Sequence, residues 1–261
     1  MDARTLKLTV EYDGTNYVGW QRQAEGISIQ GLLEEALGPF EGGPATVHGA
    51  GRTDAGVHAL GQVASVRTRT QHRAATLQRA LNAVLPPDVR VVAVEDAPPT
   101  FHARFDAVSK TYEYRIANTP FVSAFQYRYA WHVPGALNLQ AMRLGAEALL
   151  GRHDFAAFQS TGGDVQTSER TILSITVGAD QGQTPLVIRV TGDGFLRHMV
   201  RSIAGTLVDV GLGRWPASQS TPSRCTSCRC GCCQTNAISC PGTNNSTSVK
   251  NWLAVVWSPS R

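Results

Sequence analysis

The chain has 261 residues, 42 % hydrophobic and 17 % charged, a balance that excludes a disordered polymer and allows one large core or two small ones. Its longest apolar runs, such as Val89–Val94, fall far short of the ~20 residues that cross a bilayer, and Met1–Gly14 has no apolar h-region. Neither a membrane span nor a secretory signal is predicted, a cytoplasmic location is the default, and the net charge of +4 leans mildly toward polyanions.

Leu6–Tyr12 is rich in β-formers and is followed by the turn pair Asp13-Gly14, which reads as a strand and a loop. Ser28 is a plausible N-cap, and Ile29, Leu32, Leu33, Ala36 and Leu37 line one face of a helix that Gly38-Pro39 should end. Thr46–Ala50 and Gln62–Val66 read as strands flanking a loop, Gly51–Gly61. A helix follows at Ala75–Leu85, stopped by Pro86-Pro87, and then a strand at Val89–Val94.

A second series starts with a strand at Thr111–Ile116. Asn138 caps a helix running to about Leu150, and Thr171–Val177 and Leu186–Thr191 are strands. A helix from about Phe195 to Val210 ends at Gly211, a residue suited to a left-handed cap. The pattern predicts an α+β fold with a mixed or antiparallel sheet flanked by helices. It divides into two similar halves, residues 1–104 and 105–214, followed by a tail, 215–261.

Basic residues cluster. Arg52, Arg67, Arg69, His72, Arg73 and Arg79 form one block, and Arg197, His198 and Arg201 another. Such blocks make phosphate contacts, although a solvated face with ordinary ion pairs gives the same pattern. The seven histidines, at 48, 58, 72, 102, 132, 153 and 198, show no metal-ligand spacing, and no metal is expected. Trp20 fits either RNA stacking or the anchoring of a loop.

The most informative segment is Gly49–Ala59. Three glycines in eight residues allow tight turns and a close approach to a ligand, and Arg52 stands two residues before Asp54. A cation and a carboxylate on one loop suit a phosphate-bearing substrate beside an acidic catalyst. The bland alternative is a turn capped by Asp54 and paired with Arg52. The run is neither a P-loop nor a dinucleotide fingerprint.

The run GAGRTDAGVHALGQVASV resembles the catalytic loop of the tRNA pseudouridine synthase A family. The same family is echoed, in order, by EYDGTNYVGWQRQ, FHARFDAVSKTYEYRI, GRHDFAAF and FLRHMVRSIAGTLVDVG, over roughly four fifths of the chain. The resemblance implies the pseudouridine synthase α+β fold with two ferredoxin-like halves. It implies isomerisation of uridine to pseudouridine at positions 38, 39 and 40 of the tRNA anticodon stem-loop. It further implies a homodimer that binds tRNA across both subunits and needs no cofactor. Residue by residue, Asp54 matches the essential carboxylate and Tyr112 the tyrosine that lies against the target base. Arg201 matches an arginine near that carboxylate, and Arg52 one that holds the flipped nucleotide. Tyr114 reads as a strand core residue.

After Gly213-Arg214-Trp215-Pro216 the resemblance stops. All six cysteines follow, at 225, 228, 230, 232, 233 and 240, among Ser, Thr, Asn and Pro. The cysteines crowd closely and no histidine accompanies them, which argues against an ordinary zinc module, and the tail reads as a shifted reading frame or a disordered segment, with genuine divergence or a metal-binding tail as the alternatives. With a shifted frame the family's last helix and strand would be missing, and Trp252–Trp257 could mimic a short strand but is given no weight. Two other functions stay open: a noncatalytic RNA-binding protein derived from the family, and a zinc-dependent nucleic-acid protein.

Overall fold

The computed structural model describes residues 3–160, 166–180, 183–220 and 252–258. Its elements are β1 (Arg4–Tyr12), α1 (Ile29–Glu41), β2 (Val47–Gly49), β3 (Val57–Thr68), α2 (Ala74–Val84), β4 (Val89–Ala97), β5 (Ser109–Ala117), β6 (Trp131–His132), α3 (Leu139–Glu147), β7 (Gly151–Asp154), β8 (Glu169–Asp180), β9 (Gln183–Gly192), α4 (Met199–Gly211) and β10 (Trp252–Ser258). They form two compact units, Met1–Thr111 with Trp252–Arg261, and Tyr112–Asn251.

In the first unit β1 lies antiparallel between β3 and β4, and β2 pairs antiparallel with the far part of β3. The order β4-β1-β3-β2, with helices after β1 and β3, is the ferredoxin-like arrangement. Its core lies on one face of the sheet. Leu6, Leu8 and Val10 of β1 alternate inward and meet Ile29, Leu33 and Leu37 of α1 and Leu77 and Leu81 of α2. Ser28 caps α1, its Oγ accepting from the Gly31 N–H at 3.1 Å. The helix runs through Pro39 to Glu41, beyond the predicted stop, and ends on a left-handed Gly42. A proline so near the C-terminus removes a single intrahelical bond, so the cap rather than the proline sets the end.

The expected loop Gly51–Gly61 is shorter than predicted, because β3 begins at Val57. Pairing decides this. Tyr12 of β1 stands opposite Ala59, and β10 runs parallel to the same stretch, with Trp252 opposite Val57 and Val256 opposite Gly61. The strand at Trp252–Ser258 corrects the reading that gave this stretch no weight. The six cysteines and the zinc reading lie outside the described residues.

In the second unit the strands follow the order β5-β9-β8-β7. β9, β8 and β7 are antiparallel neighbours, and the short β6 runs parallel to β5. The order β5-β9-β8, with α3 after β5 and α4 after β9, repeats that of β1-β3-β2 in the first unit. Met142 and Ala146 of α3, Ile203 and Leu207 of α4, and Ile172, Ile188 and Val190 of the sheet are buried. Tyr114 is fully buried, as a core residue of β5. Helix α4 starts four residues later than predicted, because His198 takes a left-handed conformation (φ 60°) and blocks an earlier start. Its left-handed C-terminal glycine is Gly213, and Gly211 is the last helical residue.

Candidate active site

Residues 50–56 leave β2 and return as β3, fastened along their length. The Ala50 N–H donates to the Val63 carbonyl at 2.8 Å, and the Gln62 side-chain amide donates to the Gly51 carbonyl at 2.6 Å. Thr53 is the central peg and is buried. Its Oγ1 lies 2.8 Å from the Tyr12 hydroxyl, and its carbonyl accepts from the Trp20 N–H at 3.0 Å. The Val57 N–H closes the turn on the Asp54 carbonyl at 3.1 Å. With Thr53 held inward, its neighbours Arg52 and Asp54 are exposed. Among the described residues Arg52 is in no ion pair, so the pairing with Asp54 considered from the sequence is not what shapes the loop.

The segment Tyr12–Trp20 forms the wall behind this loop. Trp20 is 2 % exposed and packs so closely on Gly49 that a Cβ there would lie 2.4 Å from the indole ring. Of the two readings of Trp20, loop anchor is the correct one. His58 is also buried. Its Nδ1 lies 3.1 Å from the Gly14 amide nitrogen and 2.9 Å from Asp13 Oδ1. Without a hydrogen Nδ1 accepts from the Gly14 N–H, and with one it donates to Asp13, so the nitrogen serves one partner at a time. Tyr17 donates to Asp88 Oδ1 at 2.5 Å. Burial, the Asp88 hydrogen bond, and the charges of Asp88 and Asp13 push its phenol well above the ordinary tyrosine range. Sequence reasoning missed these partners. The motif EYDGTNYVGW was visible, but the contacts named here lie 29 to 71 residues away along the chain.

Arg52 and Asp54 thus share one loop of the first unit, while Tyr112 and Arg201 stand on the second. Tyr112, on β5, is half-buried and meets Phe195 edge-on with ring centroids 5.0 Å apart. Arg201 is half-buried in the first turn of α4. Among the described residues no group of three or more His, Cys, Asp or Glu could hold a metal ion, and no helix is long and apolar enough to cross a membrane.

The family model described as tRNA pseudouridine synthase matches residues 8–106 and 146–222, more than half of the chain. The chain belongs to the tRNA pseudouridine synthase family. The two matched segments contain Arg52, Asp54 and Arg201, and Tyr112 lies between them. Curated relatives in this family are similar over most of their length. The tRNA pseudouridine synthase A of Syntrophotalea carbinolica is 44 % identical over 214 residues, 82 % of this chain and 84 % of that protein. That of Pelobacter propionicus is 46 % identical over 212 residues, covering 81 % and 86 %. That of Solibacter usitatus is 43 % identical over 226 residues, covering 85 % and 92 %. The family resemblance read from five motifs therefore holds over 81–85 % of the chain, and the α+β fold it implied holds too.

Proposed function

We propose that the chain isomerises uridine to pseudouridine in the anticodon stem-loop of tRNA, at positions 38, 39 and 40, as a cytoplasmic homodimer without metal or cofactor. One observation carries the reading: a loop fixed by a buried threonine turns Asp54 outward, with Arg52 two residues away. The reaction breaks the N1–C1′ bond, turns the freed uracil and joins C5 to C1′, with the C5 proton lost to solvent. It is redox-neutral and consumes no second substrate. A carboxylate suits it, as nucleophile toward the sugar or ring or as a base toward the sugar. A rigid loop suits it too, because a pre-placed group is not reorganised during the reaction.

The other roles follow the family pattern. Tyr112 stacks on the target base once it has left its helix. Arg201 supplies positive charge to the carboxylate, and Arg52 holds the backbone of the flipped nucleotide. The test uses tRNA with uridine tritiated at C5. The wild type releases tritium to water, and Asp54→Ala lowers the rate by roughly 10⁴-fold or more while still binding tRNA. Tight binding without release by the wild type would leave a noncatalytic RNA-binding protein.

A further inference from the structure

Ser65 stands in a row that crosses the first unit's sheet. His48 of β2 and Lys7 of β1 lie directly opposite it, and Glu95 of β4 lies opposite Lys7. Directly opposed residues share a face, and this is the face turned away from α1 and α2. The chain crosses it after β4. Thr5 Oγ1 donates to the Pro99 carbonyl at 3.2 Å, and the Ala103 N–H donates to Ser65 Oγ at 3.1 Å. Ala103 is fully buried with Ala50 and Val63, which seats the following turn on the sheet.

That turn is tightly tied. Asp106 Oδ2 accepts from the His102 N–H at 2.8 Å, and the His102 carbonyl accepts from the Phe105 and Asp106 N–H groups at 3.1 and 3.0 Å. The Arg104 N–H donates to His102 Nδ1 at 3.2 Å and fixes the ring. The outcome is a ladder of rings. His48 stacks on His102 at 4.9 Å, His102 meets Phe105 at 4.4 Å, and the Arg104 guanidinium lies 5.8 Å from the Phe105 centroid. In a core such a stack would be covered, yet Phe105 is 74 % exposed.

The charges around it are positive. Arg67 and Arg104 are exposed. Burial and then the Arg104 guanidinium push the Lys110 ammonium below its ordinary range, a repulsion that a bound anion would relieve. The nearby carboxylates are engaged, Asp106 by the His102 N–H and Glu95 by Lys7 at 2.9 Å. Exposed rings with guanidinium groups match a base and its phosphate. His48 precedes Asp54 by six residues, so even a fully extended chain separates them by at most ~20 Å. At about 3.4 Å per stacked nucleotide, that span lies within one stem-loop.

We propose that the His48–His102–Phe105 ladder with Arg104 is a second RNA contact, where an unpaired tRNA base stacks on Phe105 and its phosphate pairs with Arg104. The proposal rests on the reading of the chain as a tRNA-modifying enzyme. The test measures tRNA affinity by filter binding, and tritium release, for the full chain and for Phe105→Ala, Phe105→Leu and Phe105→Trp. Phe105→Ala weakens binding roughly 5- to 150-fold, Phe105→Trp restores it, and Phe105→Leu does not. The loss falls on KM rather than kcat, and Arg104→Ala flattens the log–log salt dependence by about one unit. Wild-type affinity in Phe105→Ala, or equal affinity in the Leu and Trp variants, would overturn the ladder. Release by the wild type with Phe105→Ala unaffected sinks the ladder alone. Phe105-dependent binding without release sinks the proposed reaction alone, and a wild type that does not bind tRNA sinks both.

Discussion

Replacing Thr53 by valine keeps the shape of the peg and removes its hydroxyl. That hydroxyl lies 2.8 Å from the Tyr12 hydroxyl, between groups only 6 % and 3 % exposed. A buried neutral hydrogen bond contributes about 1 kcal/mol net, and leaving a buried polar group poorly served raises the loss to as much as ~3 kcal/mol. Thr53→Val should therefore cost about 1–3 kcal/mol in urea unfolding. A double-mutant cycle with Tyr12→Phe should show the two losses overlapping, because one bond is counted in both. The effect on activity comes through the next residue. The Trp20 N–H still holds the Thr53 carbonyl at 3.0 Å, so the loop shifts rather than detaches. A misplacement of about 1 Å at a catalytic group costs on the order of 10²-fold in rate, so kcat should fall roughly 10- to 100-fold with KM little changed. Thr53→Ser, which keeps the hydroxyl, should recover most of the rate. Full kcat in Thr53→Val despite lower stability would refute the reasoning, since the bond would then stabilise the unit without positioning Asp54.

Tyr17 makes the first unit sensitive to alkali. Its phenol is held protonated in the fold, so its stabilisation is fully present below the ordinary tyrosine range near pH 10 and is lost as pH rises through the higher folded value. Urea midpoints taken between about pH 9 and 11.5 should fall more steeply for the wild type than for Tyr17→Phe, and parallel curves would dismiss the Asp88 bond as the cause. Deleting residues 252–261 removes the strand parallel to Val57–Gly61, so hydrogen-exchange protection should drop at those amides and persist where β1 pairs with β3 beyond Gln62. Equal protection in the full-length and shortened chains would show that β10 does not support the strand that follows the Asp54 loop.

What the sequence made legible was periodic. Ile29, Leu33, Ala36 and Leu37 repeat at helical spacing, and all four are buried in α1. The first half of β3 stayed hidden, because Val57–Gly61 includes a glycine and a histidine and reads as more of the glycine-rich loop. Only its neighbours in the sheet make it a strand. The site divides in the same way. The local pair Arg52 and Asp54 was visible, whereas the supports that aim it come from Tyr12, Trp20 and Gln62 and depend on register. His48 and His102 show the limit most plainly. They are 54 positions apart, carry no shared pattern, and meet because a strand pairing and one serine hydroxyl bring them to the same face.

The strand order of the first unit has a consequence for biosynthesis. Val57–Gly61 leave the ribosome early, but Trp252–Ser258, which pair with them beside the loop that carries Asp54, are made roughly 190 residues later. At about 5–20 residues per second, that stretch of β3 waits some 10–40 s for its neighbour. For that interval a nascent chain exposes open backbone donors and acceptors at Val57–Gly61, a template for pairing with the wrong strand. Slow elongation over the second unit would lengthen this vulnerable period, and a chaperone that shields the edge would be most useful then.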